Sequence, residues 1–465
     1  MKNITLENIA KACNGTYYGD ETIKQTEVSG IAIDSRKVEK DWLFVATKGE
    51  RVDGHSFIPD VFEKGALCVI SEKELAEADY TYILVKDSFQ ALKDIAGFYR
   101  EQINIPIVGI TGSVGKTSTK EMIAAVVSEK YNTLKTEGNF NNEVGVPLTL
   151  FKLREEHEAA VVEMGISDFG EMHRLSQIVK PDLCVITNIG QCHLENLGDR
   201  EGVLRAKTEI FDFMKEDAPV ILNGDDDKLA KVNGKRADIT YFSKEEGGDF
   251  QGEIFAKNIL AKGILGTDCD ICTPQGTFTV HIPIPGEHMV NNALAAAAVG
   301  LKLSLTLEQI KKGIEKVKAL PGRSHLILTE MYTILDDCYN ANPVSMKAAI
   351  SLLAETNGRR CAIMGSMFEL GEMEKQLHEE VGAYAIDKGI EVIISIGELG
   401  KCIYEGALKK KEEQRAETEL FYFETVDEFL NSYENILRKQ DAVLIKASHG
   451  MKFAEIVEKL GGKVG

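Results

Sequence analysis

A glycine-rich segment that ends in a lysine and a threonine is the strongest chemical signal in this sequence. It reads GSVGKT at residues 112–117 and follows the apolar run 105–110. Backbone amides in such a loop can bind phosphate oxygens, and the helix that starts after the loop adds the positive end of its dipole. Lys116 can reach the β- and γ-phosphates, and the Thr117 hydroxyl can bind Mg²⁺. The segment therefore predicts a site for a nucleoside triphosphate.

The glycine spacing departs from the usual phosphate-loop pattern, which has four residues between its two glycines. Here two residues separate Gly112 from Gly115, and five separate Gly109 from Gly115. A strand-to-helix turn with an exposed lysine is the alternative interpretation. The apolar strand before the loop and the Gly-Lys-Thr sequence within it favour nucleotide binding. A kinase, an ATPase, a GTPase, a transporter subunit and a ligase all stay possible on this evidence.

Two further polar groups follow apolar runs downstream of the loop. Glu163 lies at the end of the run 159–164, and His193 closes the segment 187–193 that follows a second predicted strand. Because the carboxyl ends of parallel strands face the ligand crevice, we expect both groups there. A carboxylate suits Mg²⁺, and histidine is a common metal ligand. A solvated strand end and a structural histidine are the alternatives, and spacing alone indicates that Lys207 is a surface lysine.

Two segments are rich in asparagine. Residues 136–147 hold three asparagines in four positions, more than one helix cap needs, and their neutral donors suit a phosphate or a peptide carboxylate. Residues 335–343 again combine a strand end with polar side chains and a proline in the first turn of a helix. Converging polar groups of this kind would suit a reaction with two substrates.

The elements that must position these groups alternate along the chain. Short β-branched runs are followed by turns and helical patterns, which predicts α/β units with largely parallel sheets. A chain of 465 residues exceeds one compact domain. Boundaries near Pro106 and Pro321 predict three domains, at 1–104, 105–322 and 323–465. Residues 238–285 form short strand-like pieces with several glycines and predict a β-rich insertion.

Composition excludes some classes of protein. The net charge of −19 argues against a nucleic-acid binder, although a locally positive site for a small anion is compatible with it. The amino terminus lacks the apolar run of a secretory signal, and no stretch approaches the ~20 apolar residues of a membrane span. The nine cysteines are scattered, which favours reduced thiols in a cytoplasmic protein.

Taken in order, these segments resemble the Mur ligases, the ATP-dependent amide-forming enzymes of peptidoglycan precursor synthesis. The loop TGSVGKT is similar to that family's own variant of the phosphate loop. Further segments match family motifs: 139–147, 163–165, 187–193 and 206–209. Residues 337–343 and 365–371 resemble the member that adds a dipeptide, and residues 34–36 and 53–58 resemble a UDP-binding portion.

The resemblance implies a three-domain α/β fold. We expect a small α/β UDP-binding domain, a central P-loop ATPase-like domain with a mostly parallel sheet and the β-rich insertion, and a C-terminal Rossmann-like domain. It implies ATP-dependent addition of D-alanyl-D-alanine to UDP-N-acetylmuramoyl-tripeptide through an acyl phosphate. Independently of the resemblance, we expect a monomer in the cytoplasm. A sister ligase that adds one amino acid, a generic P-loop ATPase or kinase, and a non-catalytic nucleotide-binding module are the alternatives.

The resemblance also assigns roles to individual residues. Lys116, His193 and Lys207 are the expected catalytic residues, and Lys207 is the expected carbamylated lysine. The expected ATP-binding residues are Gly112, Ser113, Gly115, Lys116, Thr117, Asn292, Arg323 and Asp337. Two Mg²⁺ ions are expected, held by Thr117, Glu163, His193 and Lys207. The expected substrate-binding residues are Ser35, Asp53, Gly54, His55, Asn139, Asn142, Asn340, Asn342 and Lys446.

One departure from the family's pattern lies near the carboxyl end. The family often has Lys-Gly-Ser-Arg where this chain has Lys-Ala-Ser-His at 446–449. Histidine does not replace the bidentate pairing of arginine with a carboxylate. We assign no substrate role to His449, and we expect Lys446 to lie near the active site.

Overall fold

A computed structural model of the protein describes residues 1–50, 52–75, 80–232, 234, 236–244 and 253–461. The strands of this part of the chain are β1 (Thr16–Tyr18), β2 (Ile31–Ala32), β3 (Leu43–Val45), β4 (Cys68–Ser71), β5 (Tyr82–Leu84), β6 (Ile107–Thr111), β7 (Thr133–Lys135), β8 (Ala159–Glu163), β9 (Leu183–Ile186), β10 (Val220–Asn223), β11 (Ile239–Ser243), β12 (Ile254–Ala261), β13 (Thr267–Thr273), β14 (Gly276–Ile282), β15 (His325–Leu328), β16 (Tyr332–Asp336), β17 (Arg360–Gly365), β18 (Val392–Ile396), β19 (Glu419–Phe423) and β20 (Asp441–Lys446).

The α-helices of the same ranges lie before, between and after these strands. They are α1 (Leu6–Ala12), α2 (Ile58–Glu63), α3 (Ser88–Glu101), α4 (Lys116–Val127), α5 (Gly145–Leu150), α6 (Glu171–Val179), α7 (Leu194–Leu197), α8 (Arg200–Thr208), α9 (Met289–Lys302), α10 (Leu307–Glu315), α11 (Pro343–Ala354), α12 (Glu374–Asp387), α13 (Gly400–Gln414), α14 (Val426–Leu430) and α15 (Ala454–Gly461). None of the helices described is long and apolar enough to cross a membrane.

The chain divides into two compact units that alternate along the sequence. One unit comprises Met1–Thr111, Tyr131–Val185 and Lys207–Val220. The other comprises Gly112–Lys130, Ile186–Ala206 and Ile221–Gly465. The three-domain division at residues 104 and 322 stays a prediction.

A five-stranded sheet lies in the amino-terminal part, with the order β1-β5-β4-β3-β2. Its strands β2 to β5 pair in parallel and β1 is antiparallel to β5. The small α/β region expected in this part of the chain is confirmed. Strand β1 is a half-exposed edge strand of three residues.

The central sheet has nine strands, in the order β14-β13-β12-β11-β10-β9-β6-β8-β7. Strand β6 is buried along its whole length and pairs in parallel with β8, which pairs in parallel with β7. Strands β12, β13 and β14 are antiparallel and form the β-rich insertion predicted within 238–285. Positions 245–252 of that insertion lie outside the described residues.

The helix that follows the phosphate loop is held by close packing of helices in its own unit. Helix α4 packs against α9 and α10. A Cβ on Gly313 of α10 would lie 2.4 Å from the Cα of Val126, so only glycine permits this approach of the two backbones. Helix α9 is rich in alanine, a strong helix former with a small side chain, and is buried along most of its length.

The carboxyl-terminal sheet has six strands, in the order β15-β16-β20-β17-β18-β19. All its neighbouring strands pair in parallel except β15 and β16, which are antiparallel. Helices cover it and bury apolar side chains in two clusters. The predicted Rossmann-like domain is confirmed, and its polar segments 337–343 and 447–449 follow the carboxyl ends of β16 and β20.

Candidate active site

The phosphate loop needs glycine at two positions. Gly112 has φ +151°, and a Cβ there would lie 1.9 Å from the Oγ1 of Thr187. Gly115 has φ +81° and is the residue before helix α4. An L side chain would be strained at both positions, because positive φ brings its Cβ against the backbone. The unusual glycine spacing therefore still forms a strand–loop–helix turn.

The segment after β9 holds this loop in place. Asn188 accepts a hydrogen bond from the Val114 amide at 2.9 Å and donates one to the Val114 carbonyl at 2.9 Å. Its own carbonyl accepts from the Ser113 amide at 3.0 Å. The Ser113 hydroxyl accepts from the Gly190 amide at 2.9 Å and from the Cys192 thiol at 3.1 Å. Two loops predicted to meet at one sheet edge are thus joined by hydrogen bonds.

Lys116 is bonded to the loop itself. Its Nζ donates to the carbonyl of Gly112 at 2.8 Å. The partner is a neutral oxygen, so the lysine keeps its full positive charge at the loop. An anionic phosphate oxygen is a stronger partner than a carbonyl for the same ammonium group.

Asn292 lies beside the first turn of α4. Its side chain is 7% exposed, and its Oδ1 accepts a hydrogen bond from the Thr119 hydroxyl at 2.9 Å. Its Nδ2 lies 3.2 Å from the sulfur of Met289. Thr117, two residues before Thr119, is also buried. The predicted adenine contact of Asn292 stays a prediction, and the contact observed is with the phosphate-loop helix.

Glu163 is the last residue of β8 and is 1% exposed. It pairs in register with Ile110 of β6, the strand from which the chain enters the phosphate loop. Asn141 donates a hydrogen bond to Oε1 of Glu163 at 2.8 Å, and the backbone amide of Glu163 donates to the Thr136 hydroxyl at 3.0 Å. These bonds fix a buried carboxylate at the carboxyl end of a parallel strand.

The three asparagines of residues 139–142 differ in their contacts. Asn142 holds the turn that leads into helix α5, because its Oδ1 accepts from the amides of Val144 at 3.2 Å and Gly145 at 2.8 Å. Asn139 is exposed. The asparagine that contacts Glu163 is Asn141, which the predicted site did not include. Its position in the centre of the asparagine run was the signal in the sequence that could have identified it as a site residue.

Lys207 lies on α8 and is fully buried, so it is not the surface lysine that its spacing indicated. A buried ammonium group is costly unless it is paired. His193 lies at the start of α7, and its Nδ1 is 2.6 Å from Oε2 of Glu369. Among the described residues, no group of three or more histidine, cysteine or acidic side chains forms a metal site by itself.

A second polar cluster lies at the carboxyl ends of β16 and β20. Lys446 is 2% exposed; its Nζ lies 2.5 Å from Oδ2 of Asp337 and donates to the carbonyl of Asn340 at 2.9 Å. The guanidinium of Arg323 lies 4.1 Å from the centre of the Tyr339 ring. The predicted residues Arg323, Asp337, Asn340 and Lys446 are thus close together.

Three other residues belong to this cluster: Asn342, His449 and Cys338. Asn342 caps helix α11 by accepting from the Ser345 amide at 2.9 Å. The His449 ring lies 5.4 Å from the Tyr339 ring, centre to centre. Burial raises the pKa of the Cys338 thiol, with further help from Asp336 and Asp337, so this thiol stays protonated and is a poor nucleophile.

The amino-terminal candidates form a compact hydrogen-bonded group. Asp53 caps the turn Gly54–Phe57, and its carboxylate contacts Lys73 at 2.8 Å and His55 Nδ1 at 2.6 Å. His55 Nε2 accepts from the Glu72 amide at 3.0 Å. The bond from Lys73, followed by those from His55, lowers the pKa of Asp53.

Both ring nitrogens of His55 therefore have partners within the protein. Ser35 lies in the turn Ser35–Lys37, and its carbonyl accepts from Lys64 at 2.7 Å. The substrate-binding roles of Ser35, Asp53, Gly54 and His55 stay predictions.

Three family models match successive parts of the chain. The Mur ligase family, catalytic domain, matches residues 27–100; the Mur ligase middle domain matches 110–300; and the Mur ligase, glutamate ligase domain, matches 322–449. The chain is 39% identical over 461 residues to a UDP-N-acetylmuramoyl-tripeptide–D-alanyl-D-alanine ligase of Bacillus subtilis, covering 98% of each chain. The chain belongs to the Mur ligase family.

Solved structures agree with this membership. A structure of MurF from Acinetobacter baumannii is similar to this Mur ligase with a TM-score of 0.89 and 34% identity, over 99% of each chain. A MurF ligase from Thermotoga maritima, in complex with ADP, is similar with a TM-score of 0.81 and 28% identity, over 93% of this chain and 97% of that one. The resemblance predicted from the motifs is therefore confirmed.

Proposed function

We propose that this Mur ligase uses ATP to join D-alanyl-D-alanine to UDP-N-acetylmuramoyl-tripeptide, forming ADP, phosphate and an amide bond. The observation that carries the proposal is full-length similarity to a relative with that name, at 39% identity. The geometry of the phosphate loop supports it, because Gly112 and Gly115 have positive φ and Asn188 holds the loop through hydrogen bonds. We propose further that the protein works as a monomer in the cytoplasm, where nucleotide-activated precursors and ATP are available.

The reaction needs an activated carboxylate. The terminal carboxylate of the tripeptide attacks the γ-phosphorus of ATP, ADP leaves, and an acyl phosphate forms. The free amine of D-alanyl-D-alanine then attacks the acyl carbon, loses a proton and expels phosphate. Water would hydrolyse the acyl phosphate, so the protein must exclude it from the site.

The phosphate loop would bind the triphosphate. Lys116 would exchange the Gly112 carbonyl for β- and γ-phosphate oxygens, and the amides of Gly115, Lys116 and Thr117 would donate to them. Arg323 and Asp337 would contact the nucleotide from the region after residue 322, with the Arg323 guanidinium over the Tyr339 ring. We propose that Asn292 contacts the adenine.

The side chains present fit Mg²⁺. Thr117 and Glu163 supply oxygen donors, which this ion prefers, and both side chains are buried, with exposures of 3% and 1%. Mg²⁺ would neutralise charge on the transferring phosphoryl group. Because Mg²⁺ keeps waters and binds phosphate oxygens, the absence of a three-residue ligand group in the described part of the chain is compatible with it.

A second ion would be held by His193 and by Lys207 in carbamylated form. The ammonium group first loses a proton; addition of CO₂ to the neutral amine then forms an N–C bond and releases a second proton, which together converts a cation into an anion with two oxygen donors. Full burial of Lys207 supports this assignment, because an ordinary surface lysine would gain nothing from the modification.

The substrate-binding proposal assigns the UDP end to residues 1–104, with Ser35, Asp53, Gly54 and His55. The central part, 105–322, would bind ATP, and residues 323–465 would bind the incoming dipeptide with Asn340, Asn342 and Lys446. Asn139 and Asn142 would contact the peptide of the acceptor nucleotide.

Phosphate release from ATP with Mg²⁺ and UDP-N-acetylmuramoyl-tripeptide, with and without D-alanyl-D-alanine, tests the proposal. Tripeptides ending in L-lysine and in meso-diaminopimelate are both supplied. Release that depends on the dipeptide, with a pentapeptide product by mass, supports the proposal. Release that depends instead on a single amino acid would make the protein a sister ligase, and release without any acceptor would make it a generic ATPase.

A further inference from the structure

The loop after β17 contacts the loop after β9 at His193. Glu369 Oε2 lies 2.6 Å from His193 Nδ1, with side-chain exposures of 58% and 26%. The approach continues beyond the pair, since a Cβ on Gly371 would lie 4.0 Å from the amide nitrogen of Glu195. Loops that follow strands of two different sheets therefore meet at the histidine.

The backbone is held in an unfavourable conformation at both ends of this contact. His193 has φ +51° and Glu369 has φ +63°, in the left-handed region that residues with a Cβ rarely adopt. In that region the Cβ lies too close to a carbonyl oxygen, so the right-handed form is favoured. Such strain is tolerated where the surroundings require one geometry, and it concentrates at functional sites.

The hydrogen bond determines which ring nitrogen carries the proton. A carboxylate accepts only, so a neutral imidazole beside it carries its proton on Nδ1 and its lone pair on Nε2. A metal ion binds the nitrogen that has the lone pair. Histidine ligands generally donate their other ring N–H to a carboxylate or carbonyl, which fixes the ring and increases its basicity.

We infer that Glu369 is a positioning residue that orients His193 for its metal ion. This rests on the proposed function, in which His193 holds the second Mg²⁺. Glu369 does not touch the reacting atoms; it fixes the ring orientation and the tautomer of His193 through Nδ1. Motif reasoning found Glu369 only as part of the segment 365–371 and gave it no role.

A consequence follows from reciprocity. If the contact with Glu369 strengthens metal binding at His193, then metal binding strengthens the contact by the same factor. The metal ion would therefore help to hold the loop after β17 against the start of α7. The ion would then act on chain geometry as well as on the phosphoryl group.

The experiment compares four variants of the full-length protein: Glu369→Gln, Glu369→Asp, His193→Ala and the control Glu372→Gln. Glu372 is exposed and carries the same charge three residues further along the chain. Mn²⁺ replaces Mg²⁺ as a paramagnetic probe, and its binding in the presence of ADP is measured by electron paramagnetic resonance. Thermal midpoints are recorded to show that each variant is folded.

His193→Ala should remove one class of Mn²⁺ site. Glu369→Gln should weaken that same class by about 10-fold or more, as loss of a carboxylate behind a histidine ligand does. Glu369→Asp should recover part of the affinity, and Glu372→Gln should bind as the unchanged protein does. A purely structural ion pair would alter the thermal midpoint and leave the Mn²⁺ sites equal.

A second readout needs no metal. Side-chain ¹⁵N spectra of the histidines, with His193 assigned by its absence in His193→Ala, should show the Nδ1-protonated tautomer in the unchanged protein. A further variant made for this readout, Glu369→Ala, should shift that signal toward the other tautomer. An unchanged tautomer in Glu369→Ala, or an unchanged Mn²⁺ affinity in Glu369→Gln, would overturn the inference.

The experiment distinguishes an error in the role of Glu369 from an error in the metal role of His193. If His193→Ala loses a Mn²⁺ site and Glu369→Gln does not, only the role of Glu369 is wrong. If His193→Ala itself binds Mn²⁺ normally, the proposed metal role of His193 is wrong and the inference falls with it. Amide formation in the phosphate-release assay is judged separately in both cases.

Discussion

The phosphate loop and the carboxyl-terminal cluster each contain a lysine, and the two lysines have different kinds of partner. Lys116 donates to the Gly112 carbonyl at 2.8 Å and is partly exposed. Lys446 is 2% exposed and contacts the Asp337 carboxylate at 2.5 Å. A lysine bonded to a neutral carbonyl can change partner when an anion arrives. A buried lysine bonded to a carboxylate is held by charge and contributes to the structure around it.

Lys116→Met should produce the largest effect on turnover. Removing one preorganised charge from a phosphoryl-transfer site typically lowers kcat by about 10²–10³-fold. The thermal midpoint should hardly change, because the lost bonds go to carbonyls that water can satisfy. Steady-state phosphate release and calorimetric melting measure the two quantities. A large drop in the midpoint would contradict the distinction between the two lysines.

Lys446→Met should, unlike Lys116→Met, destabilise the fold, with a loss of about 3 kcal/mol of stability. Breaking a buried ion pair leaves an uncompensated charge on the partner, here Asp337, and this is the main cost. Adding Asp337→Asn should restore part of the loss, because the orphaned charge is then gone. Calorimetric melting of the single and double variants checks this. Equal losses in Lys446→Met and the double variant would show that the ion pair is not the cause.

Gly112→Ala tests whether the backbone of the phosphate loop is constrained, in contrast to Lys116, which can change its hydrogen-bond partner. The added Cβ would meet the Thr187 Oγ1, and ATP affinity should fall by about 10-fold or more as the loop shifts. Gly138→Ala is the matched control, since Gly138 also has positive φ (+52°) but no atom within 4 Å of the position that an added methyl group would take. Fluorescent ATP-analogue titration measures both. If both variants lower the ATP affinity to the same extent, the cause is backbone strain at a positive φ and not the clash with the Thr187 Oγ1.

Glu143 extends the comparison to a charge pair in the other compact unit, with the smallest expected effect. Burial raises its pKa, but the bonds from Arg174 and Lys93 outweigh burial and lower the pKa below its ordinary value of 4.5. A carboxyl with a depressed pKa stabilises the fold above its unfolded pKa and loses that contribution as the pH falls through its folded pKa.

Glu143→Gln should therefore lower stability by about 1 kcal/mol at pH 7, with little effect on turnover. The difference from the unchanged protein should shrink as the pH falls below the ordinary titration range of a glutamate, because the unchanged carboxyl then becomes protonated as well. Thermal midpoints of both proteins between pH 3 and 8, taken at ~0.1 M salt, measure it. A difference that grows on acidification would have the wrong sign for this pair.

The fold was largely predictable because its signals are local. Fully buried strands such as β6 and β8 are continuous apolar runs, and the glycines of the phosphate loop mark a turn that other residues cannot form. The signal is weak for strands β1, β7, β15 and β19, because partly exposed strands carry a weak apolar pattern. Their pairing depends on neighbours distant in the sequence.

The candidate site was predictable at the level of segments and less so at the level of atoms. The asparagine run was found, yet which asparagine contacts Glu163 depends on the backbone path between two strands. Lys207 had the spacing of a surface lysine and is fully buried. His55 was expected to bind substrate, and both of its ring nitrogens are bonded to other parts of the protein.

The sequence by itself determined the order of strands and helices, the phosphate loop and the resemblance to the Mur ligases, because these depend on neighbouring residues and on spacing. Only the tertiary structure decided the partners: Asn141 with Glu163, Glu369 with His193, and Asp337 with Lys446. Charge and hydrogen-bonding energies depend on distances between atoms. Folding sets those distances between residues as much as 176 positions apart, as for His193 and Glu369, so spacing along the chain does not reveal them.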